Sequence, residues 1–80
     1  MLSKEKSQPD LKPVRSSMFS HVDYDEPTRV LTVKYKTSGQ IYHHEGVSRQ
    51  SFMSMMAAES IGKHFNQHIL KQHPGKRHQG

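Results

Sequence analysis

Between Arg49 and Leu70 the apolar residues form two stripes that no straight helix can bury against one surface. At about 100° per residue, Phe52, Met55 and Met56 cluster on one side of a helix, whereas Ile61, Phe65 and Ile69 fall nearly opposite. A break between Ala58 and Gly62 removes the conflict. Ser60 can accept a hydrogen bond from an orphan N–H and so cap a second helix, and Gly62 relaxes the backbone or permits a close approach. The pattern predicts two short helices, over 49–58 and 61–71. Ser48 suits the N-cap of the first, with Val47 placed to pack on Phe52 as a hydrophobic staple. The alternative is one helix packed on two surfaces, as at a dimer contact.

Upstream the period drops to two. In "RVLTVKYK", Arg29 to Lys36, the residues Leu31, Val33 and Tyr35 share one face and Thr32, Lys34 and Lys36 the other, which marks a half-buried strand. "MFSHVDY", Met18 to Tyr24, joins it through Asp25-Glu26-Pro27-Thr28, where Pro27 presets φ and Asp25 can bond the backbone. Thr37-Ser38-Gly39 supplies a hairpin loop before a third strand at "QIYHH", in which Ile41 and Tyr42 are adjacent and both favour burial. The expected fold is α+β: a three-stranded antiparallel sheet followed by two helices packed on one face.

Residues 1–16 are polar, contain Pro9 and Pro13 and lack periodicity, so they read as a disordered arm. Residues 72–80 hold a Pro-Gly breaker and no apolar side chain, and read as a disordered basic tail. The folded part is then 17–71. Only 31% of the 80 residues are hydrophobic, which makes a small core and leaves a homodimer open. With no cysteine there is no disulfide and no thiolate zinc site. No apolar run approaches a signal peptide or a membrane span, so the expectation is a soluble cytoplasmic protein without a membrane partner. The net charge of +5 is uneven: from Ser60 onward Lys63, Lys71, Lys76 and Arg77 have no acidic neighbour in sequence. Such a flank suits an acidic partner, although a solvated basic tail would look the same.

With these elements in place, the chain from about Ser16 to Leu70 resembles the KTSC domain, a short bacterial and phage module also found at the carboxy terminus of some lysyl-tRNA synthetases. The resemblance runs through Ser16, Ser17, Phe19, Val22, Tyr24 and Asp25, then Leu31, Val33, Tyr35, Tyr42 and Val47. It closes on Ala58, Ser60, Gly62, Phe65, Asn66 and Ile69. His44 stands where the family pattern has a second tyrosine. RNA binding is a suggestion attached to the family, and a shared fold does not by itself supply a site.

The residues point most directly to a non-enzymatic module that binds nucleic acid, RNA rather than DNA. Its basic surface would comprise Lys34, Lys36, Lys63, Lys71, Lys76 and Arg77, which can neutralise phosphates. Tyr42, His43 and His44 are candidates to stack on bases or assist, although Tyr42 also fits a core. The rival is a protein-interaction or regulatory module, phage-derived, that dimerises or docks through Phe52, Met53 or a free sheet edge. Met55 and Met56 read as core and Met53 as exposed. Seven histidines include the i, i+4 pair His64 and His68, but the hydrolase pattern HExxH is absent and no carboxylate follows to orient a ligand, so no metal or other cofactor is expected. Ser60 has no base and orienting acid at readable spacing, which leaves no catalytic residue to name. Protonation of several histidines near pH 6 would add positive charge and tighten binding to polyanions.

Overall fold

The computed structural model describes residues 11–78; the expectations for residues 1–10 and 79–80 lie outside these. The chain forms strands β1 (Lys12–Pro13), β2 (Phe19–Asp25), β3 (Val30–Tyr35) and β4 (Ile41–His44), helices α1 (Arg49–Ala57) and α2 (Ile61–His64), and strand β5 (Gly75–Arg77). A π-helical turn, Phe65–Ile69, continues α2 directly. The strands make one antiparallel sheet in the order β1-β2-β3-β4-β5.

The α+β class holds, but the sheet has five strands where the sequence predicted three. Lys12 pairs with Val22 and Pro13 with His21 along one edge, and Tyr42, His43 and His44 pair with Arg77, Lys76 and Gly75 along the other. Both added strands come from segments that sequence pattern assigned to a disordered arm and tail. They are two and three residues long, too short to display a period, and an edge strand is held by backbone groups more than by apolar side chains. Pro13, which lacks a donor, is tolerated because it sits in the outermost strand.

The central strands behave as their alternation implies. Leu31 and Val33 are buried on one face, and Phe19 and Val22 join them from β2. Residues three apart share a face only because the register slips between Phe19 and His21, so that Ser20 is an extra residue in β2. The β2–β3 turn keeps Arg29 at φ 59, with its N–H bonded to the Asp25 carbonyl, and Thr28 donates to the Asp25 carboxylate. Gly39 provides the positive φ of the β3–β4 loop, φ 74.

The helical break falls where the apolar phase requires it. Ser48 Oγ accepts from Ser51 N at 3.1 Å and Ser60 Oγ from Lys63 N at 3.2 Å, capping α1 and α2. A methyl group at Gly62 would lie 2.9 Å from Met18 Cβ, so the second helix can approach the sheet only with glycine there. Leu70 N bonds the Phe65 carbonyl at 2.9 Å, an i→i+5 bond. In the wider turn this makes, four residues fall just short of one revolution; in α2 they run just past it. Ile61, Phe65 and Ile69 therefore stay aligned, and all are buried with Met55 and Val47 in one core against the sheet.

Two details differ from the sequence reading. Phe52 stacks on Tyr24, with centroids 4.7 Å apart, and the Tyr24 hydroxyl donates to the Val47 carbonyl at 2.6 Å; a strand residue thus completes the contact expected between Val47 and Phe52 alone. Met56, expected in the core with Met55, is 38% exposed because the break turns α1 so that Met55 alone points inward.

β5 is docked through His44. Its Nδ1–H donates to the His73 carbonyl at 2.7 Å, and its ring lies edge-on to Phe65 at 4.9 Å. Gly75 passes directly over the imidazole, where a Cβ would sit 2.5 Å from Cε1. Gly75→Ala is expected to cost about 1–3 kcal/mol by overpacking. The loss should appear as a lower urea midpoint together with faster amide exchange in residues 75–77, while β2 and β3 keep their relative protection.

Candidate nucleic-acid interface

The register divides the candidate residues between two faces. His21, Lys34 and Ile41 form one row on the helix-free side of the sheet, and Asp23, Thr32, His43 and Lys76 form the next. This open face is partly closed by its own side chains. Thr32 is only 2% exposed because His43 and His78 lie over it: Thr32 Oγ1 and His43 Nδ1 are 2.9 Å apart, and His43 Nε2 and His78 Nδ1 are 2.7 Å apart. With both rings neutral every contact has one proton: the threonine hydroxyl donates to Nδ1, and His43 Nε2–H donates to His78. A second added proton would set two N–H groups against each other across the histidine pair.

These partners remove several expected contact residues from the free surface. His43 is engaged by Thr32 and His78. His44 is buried, 1% exposed, with Nε2 lacking any hydrogen-bond partner. Tyr42 is half-buried against Tyr35, centroids 5.7 Å apart, and its hydroxyl donates to Gln40 Oε1 at 3.2 Å. Lys76 lies 3.8 Å from the Glu45 carboxylate, an exposed pair worth little in stability but enough to offset its charge locally. Arg77 pairs in register with Tyr42 at the sheet edge, and Lys71 follows the π-helical turn, away from the row that holds Lys34. The nine candidates are therefore not one patch.

What the fold does gather is a basic end. Asp25, Glu26 and Glu45 flank the end of the sheet formed by the β2–β3 turn and the last residue of β4, where Glu26 also meets Arg49 at 3.8 Å. At the other end β2 begins and β3 finishes. Lys36 is anchored there by its own N–H to the Met18 carbonyl and by Nζ to the Ser16 carbonyl at 2.7 Å. Beside it an open cleft of about 530 Å³ is lined by Arg15, Ser16, Ser17, Lys36, Glu59 and Ser60 among others. Lys63 follows in the first turn of α2, and Lys34 lies on the adjoining open face. Arg15 and Ser16 were missed because they fell in a segment read as an arm, and Ser17 because it opens the folded part with no charge or period to mark it; the Ser-Ser pair of the family pattern was the one signal.

Histidines elsewhere form a second pair, His64 and His68, with centroids 4.5 Å apart. Among the described residues no third ligand joins them, nor is there any other cluster of metal-binding side chains. No described helix is long and apolar enough to cross a membrane.

A model of the KTSC domain family matches residues 15–73. The chain belongs to the KTSC domain family. Over 60 residues it is 33% identical to an uncharacterised protein of Stutzerimonas stutzeri, a match covering 75% of this chain and 83% of that protein. The crystal structure of a KTSC domain protein from Yersinia pestis is similar at a TM-score of 0.80 and 25% identity, covering 90% of this chain and 100% of the other. In this KTSC domain the basic cleft includes Ser16, Ser17 and Ser60, three of the positions through which the resemblance was first visible.

The histidines change the expected pH response. Burial lowers the pKa of His43, with the charges of His78 and His44 acting the same way and Asp23 and Glu45 opposing. Burial also lowers that of His44, partly offset by its bond to the His73 carbonyl, and loss of solvent with the neighbouring His68 lowers that of His64. These groups resist the protonation that would have strengthened the basic surface. A histidine pKa depressed in the folded state means that the unfolded chain binds more protons, so stability is full above the ordinary value of about 6.5 and declines as pH falls below it. The urea midpoint should fall between about pH 7.5 and about pH 5.5, and His43→Gln should lose part of that difference. An unchanged midpoint would show that none of these three rings is held neutral by the fold.

Proposed function

We propose that this KTSC domain is a non-enzymatic module that binds nucleic acid through the basic end of its sheet, using Arg15, Lys34, Lys36 and Lys63. The observation that carries this reading is the bias of charge along the sheet: Asp25, Glu26 and Glu45 lie at the far end, Asp23 lies one row from Lys34 on the open face, and Glu59 is the one carboxylate among the described residues lining the basic cleft. Arg15 and Lys36 outnumber Glu59 in the cleft, and such an excess of cations attracts phosphates and releases counterions on binding. Aromatic platforms contribute little, since Tyr42 and His44 pack inward, so sequence-tolerant backbone contact is the expected mode. The choice of RNA over DNA rests on the family likeness to a module attached to lysyl-tRNA synthetases.

Fluorescence anisotropy with single-stranded and duplex oligonucleotides over a salt series tests this. Binding through about three or four phosphates should give a log–log salt slope near −3. Changing both Lys34→Glu and Lys36→Glu should weaken binding by roughly tenfold or more and flatten the slope by about two, with the thermal midpoint nearly unchanged. No binding at about 50 mM salt would reject the reading.

A second reading has its own support in α1, where Met53 is 54% exposed and lines an open groove with Arg49, Gln50, Ser54 and Ala57. An exposed thioether in such a groove suits docking of another protein or a second copy. Light scattering that shows a dimer dispersed by Met53→Lys would favour it.

A further inference from the structure

We infer that the cleft at the basic end holds the terminal phosphate of a nucleic-acid strand; this rests on the nucleic-acid reading and adds a defined anchoring point to it. The cleft is rich in donors left over from structural duties. Ser16 Oγ accepts the N–H groups of Met18 at 3.0 Å and Phe19 at 3.2 Å, and Ser60 Oγ accepts that of Lys63. A hydroxyl whose lone pairs are used this way still has its own proton to donate. Lys36 Nζ gives one N–H to the Ser16 carbonyl, which fixes the ammonium beside the cleft and leaves two more. The Ser17 hydroxyl and the Arg15 guanidinium complete the set, and neither has a hydrogen bond or ion-pair partner among the described residues.

Two cations and three hydroxyls match a phosphate monoester, which carries about −1.5 to −2 charges and offers three strong acceptor oxygens. A diester within a strand brings a single charge and would leave donors unused. Arginine adds planar, paired N–H groups suited to two of the oxygens. Glu59 is the one opposing charge in the cleft, and it gives the idea a sign: removing it should help where removing Arg15 or Lys36 harms.

The experiment titrates the whole domain by NMR and anisotropy with a short oligonucleotide carrying a 5′-phosphate, a 3′-phosphate or neither, with inorganic phosphate and a mononucleotide as minimal probes. Phosphorylated ends should bind about fivefold to tenfold more tightly, the range expected of one added charge-assisted contact in a partly screened site. Inorganic phosphate should shift the amides of Ser16, Ser17 and Ser60. Arg15→Gln and Lys36→Gln should erase the preference for a phosphorylated end, and Glu59→Gln should increase it, all three being exposed substitutions that leave the fold intact. Equal affinity with and without an end phosphate overturns the inference while the nucleic-acid reading stands. A mononucleotide that binds as tightly as the strand overturns the assignment to a strand end. Failure of every oligonucleotide to bind overturns both.

Discussion

Phe65 is the residue on which the two layers meet, edge-on to Phe19 at 5.0 Å and to His44 at 4.9 Å. Its position sets conditions on three distant parts of the chain. α2 must start afresh after Ala58, since a continued α1 would carry Phe65 to the outer side. Gly62 must lie against Met18, because any side chain there would lift the helix from β2. The imidazole at position 44 must also lie flat beneath Gly75, where its Nδ1–H reaches the His73 carbonyl. A small domain has few such contacts, and edge-on aromatic pairs add roughly 0.5–1.5 kcal/mol each beyond area burial, so one well-placed ring counts for much of the total.

How much of this could be read from the sequence depended on the range of the interaction. The alternation of Leu31, Val33 and Tyr35 is local and was legible, as was the break at Ser60, because two apolar stripes out of phase cannot both be satisfied otherwise. Thr32 shows the limit. Its place in the alternation says solvent, yet it is buried by His43 from the neighbouring strand and His78 from the far end of the chain. The extra residue at Ser20 is equally silent: nothing in "FSHV" announces that positions three apart will share a face. Edge strands of two or three residues carry no period at all. In each case the deciding partner lies far away in sequence, and local propensity has no term for it.

The candidate site followed the same rule. Lys34 and Lys36 were visible because a strand fixes their side, whereas Lys76 was visible only as a charge, and its neutralisation by Glu45 depends on β5 joining β4. Arg15 and the two serines reach Lys36 only because β1 returns along β2, and Ser60 joins them because the break brings the start of α2 to the same end. No spacing pattern links residues 15–17, 36 and 59–60. The site is a product of topology.

The two ends of the sheet can then be compared by what their polar groups are doing. At the acidic end nearly every group has structural work: Thr28 and Asp25 close the first hairpin, Glu26 meets Arg49, and Glu45 meets Lys76. At the basic end the same accounting leaves a surplus. Among the described residues the oxygens of Ser16 and Ser60 are used but their protons are not, the ammonium of Lys36 is anchored with donors to spare, and Arg15 has no hydrogen-bond or ion-pair partner. Stability alone gives no reason to collect unspent donors of one sign in a concave surface, since like charges brought together repel. An anion bound in the cleft beside Lys36, as we propose, would complete such an arrangement.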